Sequence, residues 1–210
     1  MEQLLFDSIQ CPGRISFPLP RVLTSGQNLF TVTGDVYTPN PAQAVALAQQ
    51  AAAEGASLCF DVETWPVQWS VMKTLLRAAR NAAPNVRLSN YDSGQSTGTE
   101  LDQGLSGNSF GVLSTIYAQN RTPEAIATTE AMDFVCPSLY MNTGQTQQQW
   151  NLIVDFAISQ SRQYNRPVYP FISPFSYDSA GNPTLISNMD WYNVLSCVGS
   201  LASQNTYSWC

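Results

Sequence analysis

The 210-residue chain contains no histidine, and this absence removes several familiar kinds of active site. Catalysis of the Ser-His-Asp or Cys-His type needs an imidazole base, so neither type can operate here. A conventional zinc site is disfavoured as well, because histidine is one of its usual ligands. We therefore expect neither a bound metal nor another cofactor.

Charged residues are also scarce. They make up 11% of the chain, and the formal net charge is −6. Lys73 is the only lysine, and the eight arginines form no basic run. Because such a surface cannot neutralise a row of phosphates, we expect no nucleic-acid binding and disfavour polyanionic substrates. Apolar residues reach 44%, which is enough for one sizeable core.

The five cysteines are an odd number without CxxC spacing. Cys59 and Cys136 fall within predicted strands, where a thiol acts as a small apolar side chain, so we expect both to be reduced core residues. Cys11 could pair with Cys197 or Cys210, and spacing does not decide between them.

No apolar run is long enough to span a membrane, and the N-terminal residues lack the basic region of a signal peptide. We therefore expect no membrane contact. We also expect the protein to be a monomer. It would stay in the cytoplasm or leave the cell by lysis or within a particle.

From residue 28 onward, predicted strands alternate with predicted helices. Strands are predicted at 28–36, 56–63, 86–91, 110–117, 134–140 and 168–175, and helices at 42–54, 66–83, 122–132, 146–164 and 188–201. This alternation indicates a parallel sheet with helical crossovers, either doubly wound or closed into a (β/α) barrel. No glycine-rich phosphate loop follows the early strands, which disfavours the dinucleotide-binding form of the doubly wound sheet.

Polar and aromatic residues cluster where several predicted strands end. Asp61, Glu63, Tyr91, Asp92, Tyr117, Tyr140 and Tyr169 all lie at or near such ends. In a barrel these ends meet at one mouth, where barrel enzymes hold their chemistry. We therefore predict one α/β domain over residues 1–210, a small TIM-type (β/α) barrel that can contain one or two degenerate units.

Asp61 and Glu63 are the acids of this mouth. Being two residues apart on a strand, they should project to the same side, with Cα atoms roughly 7 Å apart. Two carboxylates at the end of a buried strand are costly unless they are paired, protonated or in use. A mouth with acids and aromatic residues is typical of a surface that binds sugars. There Glu63 could protonate a glycosidic oxygen, while Asp61 raises the pKa of Glu63 and itself stays ionised. The alternative is a structural pair that is solvated or bonded to backbone amides.

Three segments, in order, resemble strands of the hyaluronidase family. Residues 60–69 (FDVETWPVQW) resemble its acid-bearing strand, which reads as an acid, one residue, a glutamate and a Trp-Pro-Trp segment. Residues 133–140 (DFVCPSLY) are similar to its later strand ending in Pro-Ser-Ile-Tyr, and residues 167–175 (PVYPFISPF) to the next strand. The motif Asn90-Tyr91-Asp92 is similar to a Cys-Tyr-Asn stretch of the family. The chain is shorter than those enzymes and lacks their disulfide context.

The resemblance implies a (β/α) barrel and a retaining, substrate-assisted hydrolysis of N-acetylhexosamine polymers. It implies that Glu63 is the general acid and then the base, while the acetamido oxygen of the substrate is the nucleophile. Asp61 would orient the acetamido group and stabilise the oxazolinium cation. Tyr140 and Tyr91 would hydrogen-bond the acetamido oxygen. Trp209 is the candidate for the family's late pocket tryptophan.

Further candidates for substrate contact are Trp65, Asp92, Tyr117 and Tyr169. Trp65 is equally interpretable as a packing residue, and Asp92 as part of a turn. The acidic composition favours a neutral polymer of the chitin or peptidoglycan type over hyaluronan. Two alternatives stay open: a non-catalytic glycan-binding or phage virion module on the same barrel, and direct displacement with Asp92 as second carboxylate.

Overall fold

The computed structural model describes residues 22–25, 28–62, 68–91, 117–177 and 182–203. In chain order, the elements are β1 Val22–Ser25, β2 Phe30–Thr33, β3 Val36–Pro39, α1 Pro41–Glu54, β4 Ser57–Phe60, α2 Gln68–Ala82, β5 Leu88–Asn90, α3 Pro123–Thr129, β6 Met141–Asn142, α4 Gln147–Arg162, β7 Phe175–Tyr177, β8 Pro183–Leu185 and α5 Asn188–Ser203. No helix in these ranges is long and apolar enough to cross a membrane.

A parallel sheet runs through the described residues in chain order. Strands β1, β4 and β5 pair side by side. Single parallel bridges extend this order, joining Tyr91 to Cys136, Val135 to Val168, and Ser138 to Phe171. Five parallel segments therefore follow one another without the reversal of order that marks a doubly wound sheet.

The two faces of this sheet are covered differently. Side chains of β4 and β5, such as Leu58 and Leu88, share the main core with side chains from the helices. The other side, which we call the inner face, carries a smaller cluster of Cys59, Phe134, Cys136 and Tyr169. Within the described ranges no helical residue belongs to that cluster. Helices on one face only are expected for a (β/α) barrel.

The sequence-based expectation of an α/β fold is confirmed, but no closed barrel is found among the described residues. The described part of the sheet consists of short strands and isolated bridges. Pro137 and Pro170 supply no backbone N–H, so the segments that contain them pair through isolated bridges rather than continuous ladders. The strand predicted at 110–117 lies outside the described residues except for Tyr117, which is helical instead.

The helix boundaries follow the signals in the sequence. Asn40 caps α1, because its Oδ1 accepts a hydrogen bond from the Gln43 N–H at 3.3 Å, and Pro41 occupies the first helical position. Gly55 ends the helix in a left-handed conformation with φ of 63°. Thr146 and Gln149 form a capping box at the start of α4. These predicted ends are confirmed.

The prediction of one strand over residues 28–36 is wrong. The chain instead forms an antiparallel hairpin of β2 and β3, with Thr33 opposite Val36 and Gly34 at φ of 60° in the turn. A two-residue loop with a glycine at positive φ matches the twist of the flanking strands and reverses the chain.

A second small sheet joins β6 to β7 in parallel and β7 to β8 in antiparallel fashion. The acid-bearing strand is also shorter than the predicted 56–63, since β4 ends at Phe60.

Candidate functional site

Asp61 lies at the carboxyl end of β4 and faces the inner side of the sheet. Phe60 and Val62, its two neighbours, both belong to the main core on the helix side. Because side chains alternate along an extended chain, Asp61 projects to the opposite side, as Cys59 does. The Tyr91 N–H donates to the Phe60 carbonyl at 2.6 Å, so Asp61 and Tyr91 leave the sheet side by side.

The carboxyl group of Asp61 is half-buried, and this burial raises its pKa above the ordinary value. Desolvation disfavours the ionised form of a carboxyl group unless a cation or donors compensate. The residue is thus held in an environment where its charge is costly. Such perturbed groups are concentrated at functional sites, although structural carboxylates show them too.

Several aromatic side chains cluster at the edge of the inner face where Asp61 lies. The rings of Tyr91 and Tyr140 have centroids 6.2 Å apart, and Tyr91 meets Phe171 edge-on at 5.1 Å. The Tyr91 hydroxyl donates a hydrogen bond to Ser138 Oγ at 2.8 Å. We call Tyr91, Ser138, Tyr140 and Phe171 the edge cluster. It offers aromatic faces and hydroxyl groups, the two features that bind the apolar and polar sides of a sugar ring.

Tyr140 is supported from the helix side of the sheet. Trp150 on α4 is fully buried, and its indole N–H donates to the Leu139 carbonyl at 3.0 Å. The Leu139 N–H donates to the Phe171 carbonyl at 2.9 Å. Both polar backbone groups of Leu139, the residue that precedes Tyr140, are therefore hydrogen-bonded.

Asn90, the last residue of β5, holds the segment that carries Asp61. Its Oδ1 accepts from the Val62 N–H at 3.3 Å, and its Nδ2 donates to the Val62 carbonyl at 3.1 Å. Nδ2 also donates to the carbonyl of Tyr91. Both Asn90 and Val62 are completely buried. The side-chain amide thus ties together the ends of β4 and β5 beside the edge cluster.

The other end of the inner face is closed by Arg87, which precedes β5. Its guanidinium carbon lies 5.1 Å from the centre of the Phe134 ring and 5.2 Å from that of Tyr169. It also donates to the Tyr169 hydroxyl at 3.0 Å. Arg87 and the two rings form a packed layer beneath the edge cluster.

The structure brings Tyr91 and Tyr140 together and places Asp61 at the end of the strand that neighbours Tyr91. It places Tyr169 in the buried layer with Arg87 rather than in the edge cluster. Tyr117 lies under the guanidinium of Arg121, which in turn donates to Gln160 on α4. Glu63, Trp65, Asp92 and Trp209 lie outside the described residues.

Three residues of this edge were missed as site residues: Asn90, Ser138 and Phe171. The two-residue alternation that leads from Tyr140 back to Ser138, and from Tyr169 to Phe171, is a signal that could have found two of them. Nothing in the sequence marks Asn90 apart from its place before Tyr91.

Elsewhere in the described residues, neither a metal cluster nor a cleft lined by charged residues forms a ligand site of the same kind. Within the described ranges, no three His, Cys, Asp or Glu side chains come together as metal ligands. A cleft of about 330 Å³ lies between α2 and the residues that follow α3, and its lining includes Arg80 and Asp133. These two form an ion pair, and Arg80 also donates to the carbonyls of Pro84 and Val86. The cleft therefore has a structural explanation.

The sequence matches no protein-family model and no curated protein. Among solved structures, bee venom hyaluronidase is similar in its monoclinic crystal form, with a TM-score of 0.64 and 12% sequence identity. The match covers 86% of this chain and 76% of the bee chain. The same enzyme in complex with a hyaluronic acid tetramer gives a TM-score of 0.57 at 13% identity, covering 86% and 74% of the two chains.

The chain therefore has a hyaluronidase-like fold. At this level of identity the similarity concerns the fold alone and assigns no residue a role. It agrees with the arrangement described above, in which parallel segments follow chain order and helices cover one face. In (β/α) barrel enzymes, the active site lies at the carboxyl edge of the sheet.

Proposed function

We propose that the chain is a glycoside hydrolase that cleaves a polysaccharide containing N-acetylhexosamine, with retention of configuration and participation of the substrate. The observation that carries the proposal is the position of Asp61. This half-buried carboxyl group, whose pKa is raised, follows β4 at the edge of the sheet that also carries Tyr91 and Tyr140, in a hyaluronidase-like fold.

In the proposed reaction Glu63, two residues after Asp61, donates its proton to the glycosidic oxygen. As the bond between C1 and that oxygen breaks, the acetamido oxygen bonds to C1 and forms an oxazolinium ion. Water then adds to C1 and gives its proton to the Glu63 carboxylate, and the five-membered ring opens. The second step restores the acid. Each of the two steps inverts C1, so together they retain its configuration.

Asp61 acts on the acetamido group in this proposal. Its carboxylate accepts the acetamido N–H and orients the oxygen toward C1, and it stabilises the positive charge that develops on the ring. A partly desolvated anion interacts more strongly with a developing cation than a solvated one does. The burial that raises the pKa of Asp61 in the absence of substrate therefore favours the charged intermediate.

Tyr140 and Tyr91 supply phenol groups beside the same carboxyl group. One of the two hydroxyls bonds to the acetamido oxygen, and the rings pack against the sugar. Tyr91 also donates to Ser138 Oγ, and this bond holds its side chain within the edge cluster. Phe171 completes the apolar surface.

A neutral polymer suits this site better than a polyanion. The edge cluster contributes hydroxyl and aromatic groups, and the acid beside it is Asp61. Arg87, the cation below the cluster, is held between two aromatic rings. With a net charge of −6, the chain as a whole would repel a polyanion such as hyaluronan.

The test is release of reducing ends from chitin oligomers, peptidoglycan and hyaluronan by the wild type, Glu63→Gln and Thr128→Val. Thr128 is the control because it bonds the Trp69 carbonyl away from the edge cluster. We expect the wild type to cleave a neutral substrate with retention of configuration at C1. NMR of the first product measures this configuration. Glu63→Gln should lose at least about 1,000-fold in rate without loss of stability, since active-site acids are often a cost to stability. If the wild type binds a polysaccharide but does not cleave it, the proposed hydrolase activity is refuted and a glycan-binding module is favoured.

A further inference from the structure

The parallel ladder between β4 and β5 changes character at its carboxyl end. The Leu58 N–H donates to the Arg87 carbonyl, and the Tyr91 N–H donates to the Phe60 carbonyl. In a regular parallel ladder, the next bond would join the Val62 N–H to the Tyr91 carbonyl. The amide of Asn90 takes that place instead, with Oδ1 on the Val62 N–H and Nδ2 on the Tyr91 carbonyl.

This insertion has two consequences. The amide also bonds the Val62 carbonyl, so both polar backbone groups of Val62 end on one side chain. Because the N–H and the carbonyl of Val62 both bond to one rigid side-chain amide, the buried Val62 backbone can rotate little without losing these bonds. The residue immediately before Val62 is Asp61, and the direction of its carboxyl group follows from the orientation of that backbone.

We propose that Asn90 is a positioning residue, which fixes the backbone at Val62 so that the Asp61 carboxyl group faces the edge cluster. The inference rests on the function proposed above, but its geometry stands without it. Asn90 touches no reacting atom in this scheme. It acts through Val62 on Asp61, and Glu63 follows one residue later in the sequence.

Two substitutions separate positioning from simple packing. Asn90→Ala removes all three hydrogen bonds. Asn90→Asp keeps the shape, and its protonated form still accepts from one oxygen and donates from the other. The ionised form can only accept, and it places a second negative charge near Asp61. Because a buried carboxyl group has a raised pKa, Asn90→Asp should regain two of the three wild-type hydrogen bonds as the pH is lowered, one accepted and one donated.

The first measurement follows the Asp61 carboxyl group by carbon-13 NMR, with Asp61→Asn for assignment. In Asn90→Ala we expect the pKa of Asp61 to fall toward its ordinary value, because the loosened segment admits water. In Asn90→Asp we expect the pKa to rise, through like-charge repulsion. The described titratable groups that share this part of the inner face with Asp61 are Tyr91, Tyr140 and Cys59, whereas Arg80, Arg87 and Asp133 lie toward the other end of β5. A pKa of Asp61 that is the same in all three proteins would overturn the proposal.

The second measurement is kcat and KM on the substrate that the wild type cleaves. We expect Asn90→Ala to lose about 10- to 100-fold in kcat/KM, chiefly in kcat, since small misplacements of catalytic groups have effects of this size. The ratio of Asn90→Asp to wild-type activity should rise as the pH falls. Thr128→Val, which also removes a buried bond to a backbone carbonyl, should keep kcat/KM within about twofold. Equal losses in Thr128→Val and Asn90→Ala would show that Asn90 is merely structural.

The two proposals can fail separately. A wild type that cleaves no polysaccharide overturns the proposed function, and the NMR titration then decides the role of Asn90 alone. An active wild type with an unchanged Asp61 pKa in both variants overturns the positioning role alone. If Asn90→Ala does not fold, the Asn90→Asp titration carries the same decision.

Discussion

Replacing Trp150 by phenylalanine should weaken both the fold and the proposed site, although Trp150 lies on the helix side of the sheet. Its indole N–H donates to the Leu139 carbonyl at 3.0 Å, and its side chain is fully buried. The substitution removes the donor and part of the ring while leaving an aromatic group in place. The residue that follows Leu139 is Tyr140, so the effect should reach the edge cluster.

The expected loss of stability has two parts. A buried carbonyl that loses its hydrogen-bond partner costs about 1–3 kcal/mol. The smaller ring leaves a gap on the order of 40 Å³, which adds roughly 1 kcal/mol at about 24 cal/mol per Å³. We therefore expect Trp150→Phe to lower the free energy of unfolding by about 2–4 kcal/mol. A domain of ordinary stability, about 5–15 kcal/mol, should remain folded after this loss.

The assay is urea unfolding followed by circular dichroism, which does not depend on the tryptophan signal. Leu152→Ala is the matched control, since Leu152 lies on the same helix but is 48% exposed. It should change the free energy of unfolding by less than about 0.5 kcal/mol. A loss below about 1 kcal/mol in Trp150→Phe would show that the bond to Leu139 contributes little, and the reasoning about Tyr140 would then lose its basis. If the loss is as large as expected but kcat/KM is unchanged, Tyr140 is not held by this bond.

Two further predictions concern charged groups. Asp133 accepts from the Leu88 N–H at 2.7 Å and pairs with Arg80, so Asp133→Ala should cost about 2–4 kcal/mol in urea unfolding, whereas Asp133→Asn, which keeps an acceptor, should cost about 1 kcal/mol. Equal losses would contradict this account. Burial raises the pKa of Asp61, so the native state binds its proton more tightly than the unfolded state, and stability should fall as the pH rises from about 4 through the raised pKa. Asp61→Asn should remove this fall and be more stable than the wild type at pH 7 by roughly 0.5–1 kcal/mol. An Asp61→Asn variant that is less stable than the wild type at pH 7 would mean that the Asp61 charge is compensated in the fold.

Local signals in the sequence predicted the helices well, because each helix end is decided by a few neighbouring residues. Asn40, Pro41 and Gly55 specify α1 through hydrogen bonds and backbone angles within one turn. The hairpin of β2 and β3 was predictable in the same way, since a Gly-Asp pair between strand-forming residues, here Thr33 and Val36, is typical of a two-residue loop. Reading residues 28–36 as one strand overlooked it.

The depth of a residue within the inner face could not be predicted, because it depends on the register between strands distant in sequence. Tyr169 and Phe171 both follow the same alternation. The bridges at Val135 and Ser138 set their heights, so that Tyr169 packs on Arg87 and Phe171 joins the edge cluster. The role of Asn90 was hidden for a related reason, since it arises only where two particular strands stop pairing.

The candidate site is held from the face opposite to the one that would bind substrate. Asn90 bonds the backbone of Val62, one residue after Asp61, and Trp150 bonds the backbone of Leu139, one residue before Tyr140. Val62 and Leu139 both belong to the main core, whereas their neighbours face the inner side. A chain without histidine and with few charges can in this way orient a carboxyl group and a phenol through buried amide and indole groups, on the face of the sheet where we propose that the sugar binds.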